Sequence, residues 1–197
     1  MAIEAPSRRR AIEDVASALF RERGYAATSV RDIARALEIQ GASVYAHVTS
    51  KEDVLWAIVD RAATRFERAA DEAESATPTA SAAERTAALV RAHVAAVITD
   101  PGESAVFVHE WRSLGETRRE QIHARRDAYE RRFRSVIEDG MATGEFVLTD
   151  AVVAATFLLT ALNGLATWYR PDGRLPPDRI ADHFVDLALR ALSEAHR

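Results

Sequence analysis

The strongest constraint on this chain lies between Thr28 and Lys51, where two short apolar stripes stand about three residues apart. Val30, Ile33, Ala34 and Leu37 form the first. Val44, Tyr45 and Val48 form the second, in a helix predicted to start near Gln40. Spacings of three and four place apolar side chains on one helical face. Two helices so short and so closely joined cannot pack parallel, so they meet at a large angle, the geometry of a helix-turn-helix. Ala34 is small where they would cross. Upstream, Ile12, Val15, Ala16, Leu19 and Phe20 predict a first helix from Arg8 to Arg23, with Ser7 as N-cap and Gly24 as its left-handed stop. Thr28 or Ser29 caps the second helix, and Ser50 caps a long one carrying Val54, Leu55, Ile58 and Phe66.

The remaining sequence keeps the helical period. The polar segment 71–83, with Pro78, predicts a loop. Periodicity resumes at Ala88, Leu89, Ala92, Ala96 and Val97 and stops at Asp100-Pro101-Gly102. A helix near Glu103 to Leu114 is followed by a charged one from about Thr117 to Asp139, ended by Gly140. Thr149 or Asp150 opens the most apolar helix, which reaches Tyr169 and is predicted to be buried on nearly every side. Pro176-Pro177-Asp178 starts the last, with Ile180, Phe184, Leu187 and Ala188 inward. No strand-like alternation and no internal repeat appears. The reading is all-α, about nine helices, with residues 1–52 as a three-helix head and 53–197 as a larger helical domain.

Composition narrows the function classes. Alanine is abundant and only 7% of residues are aromatic, which suits helices. With no cysteine, disulfides and thiolate metal sites are excluded. The histidines show no paired ligand spacing, and no phosphate loop or nucleophile elbow is present, so neither a metal site nor a catalytic residue is assigned. The segment MAIEAPSRRR lacks a signal peptide's apolar stretch, and the apolar run Ala151 to Leu162 is too short to span a bilayer. A soluble, cytoplasmic chain without membrane contact is expected. The net charge of −4 is unevenly spread: up to Lys51 eight basic residues face six acidic ones. That asymmetry permits local contact with DNA.

The second helix of the pair presents Gln40, Gly41, Ala42, Ser43 and Ala46, all small or neutral. Such a slim helix can enter a major groove, where Gln40 and Ser43 would meet base edges. Tyr45, His47, Lys51 and the hydroxyls of Thr28 and Ser29 are candidate phosphate donors, with Arg31 beside them. Arg9 and Arg10 are read as part of a basic arm on the backbone or minor groove.

The succession of Ile12 to Phe20, Val-Arg-Asp-Ile-Ala, Ser-Val-Tyr-Ala-His and Ser-Lys-Glu-Asp-Val-Leu strongly resembles the TetR family signature. Two departures stand out. Glu38 occupies the turn where the family usually has glycine, so a left-handed conformation there would be strained. Gln40 replaces a frequent serine N-cap, and Val48 stands where an aromatic is common. The resemblance implies a homodimeric repressor on a palindromic double-stranded operator, paired through its last two long helices. Phe157, Thr160, Phe184 and Leu187 are the implied interface residues. It also implies a C-terminal pocket for a small-molecule effector.

For that pocket the sequence offers Phe107, Trp111, Tyr129, Phe133 and Trp168 as lining, although such aromatics also serve as plain core. Arg126 falls on the same stripe as Ile122, Tyr129 and Phe133. Its charge needs a carboxylate such as Glu110, an outward path for its stem, or an anionic ligand. Thr156, Thr160, Asn163 and Thr167 form one polar line. Threonines there can bond their own helix's carbonyls, whereas Asn163 has no such easy partner. The stretches 110–146 and 163–173 resemble the regulators of fatty-acid and steroid catabolism. That likeness implies no cofactor but an acyl-CoA thioester effector, with Arg126 and Arg170 toward its phosphates. A multidrug-type sensor, or a helical enzyme or binding module without DNA contact, are the alternatives.

Overall fold

The computed structural model describes residues 7–193, and among these the chain forms nine α-helices and no strand. They are α1 (Arg8–Arg23), α2 (Val30–Ala36), α3 (Gly41–Tyr45), α4 (Lys51–Ala76), α5 (Ala82–Thr99), α6 (Pro101–His109), α7 (Glu116–Thr143), α8 (Ala151–Trp168) and α9 (Pro177–Ser193). A 3-10 turn, Trp111–Ser113, lies between α6 and α7. The chain groups into two compact units. One takes the described chain through Ala63 together with Gly102–His123, and the other takes Thr64–Pro101 together with the described chain from Ala124. This division does not coincide with the boundary after residue 52, because α6 and the start of α7 group with the first three helices.

In the first unit, α1 follows its sequence signals closely. Ser7 caps its amide end by accepting from Arg10 N, and Gly24, at φ 83, closes it with N–H to Phe20 O. Ser29 and Asp32 form a reciprocal capping box at α2, satisfying two donors that the helix itself cannot. Those Ser29 hydrogen bonds hold the Asp32 carboxyl below the usual carboxylate range. Packing of α1 on α2 and α2 on α3 goes with full burial of Ile12, Phe20, Ile33 and Val44. Between α2 and α3, Glu38 does adopt the left-handed region, with φ 55.

In the second unit, α5 packs chiefly on α9 and also on α8. Leu89, Val90, Val94 and Val97 of α5 are buried, as are Ile180, Val185, Ala188 and Leu192 of α9. The loop predicted over 71–83 shrinks to five residues, 77–81. Helix α4 runs on to Ala76 because Ala70 is buried and Arg132 of α7 pairs with Asp71 at 2.7 Å and Glu74 at 2.8 Å. At the other side of that loop, Ser81 and Glu84 form a second capping box for α5. Gly140 does not end α7. A Cβ there would run into the Phe146 ring, so glycine makes room for that side chain, and Gly144, at φ 79, follows the true end.

Helix α8 is the main correction. Ala155, Leu158, Leu162 and Leu165 are buried, but Val153, Phe157 and Trp168 are exposed, so the helix is one-sided rather than enclosed. By length and apolarity alone α8 also passes as a membrane span, with mean hydropathy 1.6, contrary to the judgement that its run is too short. The helix predicted over Glu103 to Leu114 likewise breaks after His109 into the 3-10 turn.

Candidate functional site

Helix α3 offers the surface that its composition implied. Gln40, Ala42, Ser43, Tyr45, Ala46 and His47 are exposed, while Gly41 is half-buried and Val44 and Val48 turn inward. Tyr45 had been placed both on the inward stripe and among the DNA contacts. At 58% exposure it belongs to the outer face. Gln40 holds the N-cap position without a side-chain hydrogen bond, which leaves its amide directed to solvent. Arg31 is exposed on α2, and Ser29 is exposed although its hydroxyl is engaged with Asp32.

Two of the proposed phosphate donors are structural instead. Thr28 is 1% exposed, and its hydroxyl donates to Gly24 O at 2.9 Å and Leu19 O at 3.4 Å. Lys51, at the start of α4, donates from Nζ to Tyr25 O and Thr28 O, each at 2.8 Å, and sits 4.0 Å from the centre of the Tyr25 ring. It therefore fastens the α1–α2 connection to α4. The basic arm is corrected too. Arg9 and Arg10 stand in the first turn of α1, where Arg9 pairs with Glu13 at 3.0 Å and Arg10 pairs with Asp14 at 2.9 Å and Glu103 at 3.1 Å.

Sequence reasoning missed the charge cluster beneath that turn. Arg61 of α4 donates to Glu13 of α1 and, through Nε at 2.7 Å and through Nη2, to Glu103 of α6. Glu13 and Glu103 are 4% and 1% exposed. Buried carboxylates require such a partner. The available signal was Glu13 lying directly beside Ile12, on the edge of an apolar stripe.

In the second unit the structure gathers Tyr129 and Phe133 of α7 with Phe66 of α4, expected as core, and with His93 of α5, which was not singled out. The His93 ring lies 4.8 Å from Phe66, 5.7 Å from Tyr129 and 6.4 Å from Phe133, centre to centre. His93 Nδ1 is 3.1 Å from the Tyr129 hydroxyl. Burial, reinforced by the Arg126 charge, pulls the His93 pKa down to about 3, so its ring is neutral. Burial pushes the Tyr129 hydroxyl upward. The signal for His93 was its place on the α5 stripe, four residues after Leu89.

Trp168 is elsewhere, stacked on Phe184 at 6.5 Å, and with Arg170, Arg174 and Leu175 it lines an open cavity of about 230 Å³. Asn163 is half-buried. Phe107 and Trp111, the other lining candidates, are buried residues of the first unit. Thr160 and Thr167 donate to Thr156 O and Gly164 O, each at 2.7 Å, so both hydroxyls are satisfied within α8. Of the implied interface residues, Phe157 is 61% and Leu187 64% exposed, Thr160 is exposed and Phe184 half-buried. Phe184 and Leu187 had also been read as inward. Leu187 faces out because α9 buries only the Ile180, Val185 and Ala188 side. Among the described residues no three His, Asp or Glu side chains converge on a metal site.

Comparisons with known proteins place the chain in a family. Residues 12–58 match the model for bacterial regulatory proteins of the TetR family, and residues 79–192 match the tetracycline repressor-like C-terminal domain. The chain is 29% identical over 195 residues to the transcriptional repressor KstR2 of Rhodococcus jostii RHA1, covering 96% of this chain and 93% of that one. The structure of the ketosteroid transcriptional regulator KstR2 of Mycobacterium tuberculosis superposes with a TM-score of 0.83 at 26% identity, over 98% of each chain. AibR, solved with isovaleryl coenzyme A and operator DNA, gives a TM-score of 0.79 at 30% identity, over 92% of this chain and 97% of that one. The chain belongs to the TetR family of bacterial regulatory proteins and is a ligand-responsive, DNA-binding transcriptional repressor.

Proposed function

We propose that this repressor binds a palindromic operator as a homodimer and is released by an acyl-CoA thioester. The observation that carries the DNA half is the exposed, slim face of α3, where Gln40, Ser43 and Tyr45 surround small residues that permit deep entry into a major groove. Pairing is supported by the apolar face that α8 and α9 leave uncovered around Val153, Phe157 and Leu187. A two-fold dimer closed by such a face would present two copies of α3 to related half-sites.

The effector class is supported by relatives. KstR2 is described as a ketosteroid regulator, and AibR was solved with isovaleryl coenzyme A. Within this chain, Arg126 beside the His93–Tyr129 cluster, and Arg170 with Arg174 around the open cavity, supply cations suited to phosphates. A cavity of about 230 Å³ holds only part of a CoA thioester, since drug-sized pockets run to roughly 300–1,000 Å³. The thioester acts by favouring a form in which the two α3 helices no longer fit the operator, and only differential affinity can drive that shift.

The test is fluorescence anisotropy on DNA from the protein's own promoter region, with acyl-CoA thioesters titrated into the complex. Release by thioesters, but not by the free acids, supports the reading. Retention of DNA at saturating short-chain, long-chain and steroid thioesters removes the effector class. Absence of binding to any DNA at low salt, where nonspecific contact persists, removes the operator claim.

A further inference from the structure

The buried imidazole of His93 carries a ring nitrogen, Nε2, without a hydrogen-bond partner. The Tyr129 hydroxyl makes one side-chain hydrogen bond among the described residues, the 3.1 Å contact with His93 Nδ1. With the Tyr129 hydroxyl as donor, Nδ1 is the acceptor and the ring proton resides on Nε2. That atom is fully buried and has no hydrogen-bond partner, in a residue 2% exposed. Orphaned buried N–H groups are rare in folded proteins and call for a specific explanation.

We propose that the Nε2–H of His93 is the hydrogen-bond donor for an uncharged carbonyl oxygen of the effector, the thioester C=O itself. This rests on the acyl-CoA reading given above and adds the atom that recognises the acyl end. The immediate surroundings of the ring suit a carbonyl, with the Arg126 charge as the one cation acting on it. Phe66, Phe133 and Tyr129 pack around the ring, and a neutral imidazole contributes one directional bond without a charge. Its low basicity keeps the ring neutral across the physiological range. The carbonyl would be fixed by the His93–Tyr129 pair, leaving Arg170 and Arg174 for the nucleotide end of CoA.

The experiment compares two probes on the full-length protein: octanoyl-CoA, and its thioether analogue octyl-CoA, which has CH2 in place of the carbonyl. Isothermal titration should show the wild type preferring the thioester by about tenfold, the worth of one buried hydrogen bond. In His93→Phe the preference should vanish, and in His93→Gln, whose amide retains a donor, it should partly return. A substitution that only damages the core would weaken both probes together and leave their ratio intact. Equal binding of the two probes by the wild type overturns the proposal, since Nε2–H would then serve only a buried water. So does a preference that survives in His93→Phe. If the wild type binds neither octanoyl-CoA nor any other thioester, the acyl-CoA reading fails separately. Histidine 15N spectra of the free protein then decide the donor itself. A protonated Nε2 with a bare Nδ1 supports it, and the opposite tautomer overturns it.

Discussion

Arg61 of α4 donates through Nη1 to Glu13 of α1, a residue forty-eight positions earlier in the chain. The same guanidinium holds Glu103 of α6, so three helices of the first unit meet on one cation. Both carboxylates are almost wholly buried, and removing Arg61 leaves them to the more exposed Arg9 and Arg10 as partners. Arg61→Ala should therefore lower stability by about 3 kcal/mol in denaturant titration. Combined with Glu103→Gln the losses should fall short of additive by about 1 kcal/mol or more. Additive losses would show that the three groups do not act together.

Glu38 makes the opposite prediction. Its φ of 55 places a side chain in a region where an L-residue is strained by roughly 1–2 kcal/mol. Glycine relieves that strain but loses more chain entropy on folding, by about 0.5–1 kcal/mol. Glu38→Gly should thus raise stability by up to about 1 kcal/mol, seen as a higher melting temperature, and Glu38→Val should lower it. A destabilised glycine variant would mean that the Glu38 side chain contributes contacts beyond its backbone conformation.

Lys51 and Arg31 separate structure from DNA contact. Because Lys51 Nζ is bound to the carbonyls of Tyr25 and Thr28, Lys51→Met should reduce stability by about 1–2 kcal/mol. Its effect on the salt dependence of DNA binding should be small. Arg31→Ala, at an exposed position on α2, should leave stability unchanged and reduce the slope of log K against log salt by about 0.9. If Lys51→Met flattens the slope and Arg31→Ala does not, their roles are reversed.

The local parts of this fold were readable because their causes are local. Ser7, Gly24, Ser29 and Asp150 act within a turn of their own helix, and their capping roles follow from residue type and spacing. The slim face of α3 was readable for the same reason. Gly140 was misread because its reason lies in Phe146, whose ring comes back over the helix after Gly144 reverses the chain. The extension of α4 to Ala76 depends on Arg132, some sixty residues away. Polar composition alone had made that segment a loop. Phe66 was legible as core, but its partner His93 was not, because an isolated histidine on an apolar stripe shows neither its burial nor its neighbours. Lys51 looked like a phosphate donor because a single sequence does not reveal which carbonyls a lysine can reach.

The open face of α8 and α9 makes a direct prediction about assembly. Phe157 and Leu187 are more than half exposed, and a charge at either would be desolvated if the face pairs with a second copy. Phe157→Glu and Leu187→Glu should each raise the dimer dissociation constant by about a hundredfold, the scale of a central interface residue. Sedimentation should show monomers, with helix content preserved. Operator affinity should fall in parallel, since a monomer engages one half-site. Variants that remain dimeric would place the interface elsewhere.

His93 links stability to pH with a defined sign. Its folded pKa, about 3, lies below the ordinary histidine value of 6.5 because burial and the Arg126 charge oppose protonation. Below pH 6.5 the unfolded chain takes up a proton that the folded chain refuses. The contribution is therefore complete above pH 6.5 and is lost as pH falls toward 3, at about 1.4 kcal/mol per pH unit inside that window. Between pH 7 and pH 5 the wild type should lose about 2 kcal/mol relative to His93→Phe, whose ring does not titrate. Urea unfolding of both proteins at the two pH values measures this difference directly. Equal changes in the two proteins would mean that His93 accepts its proton in the folded state, and that burial and Arg126 do not hold it neutral.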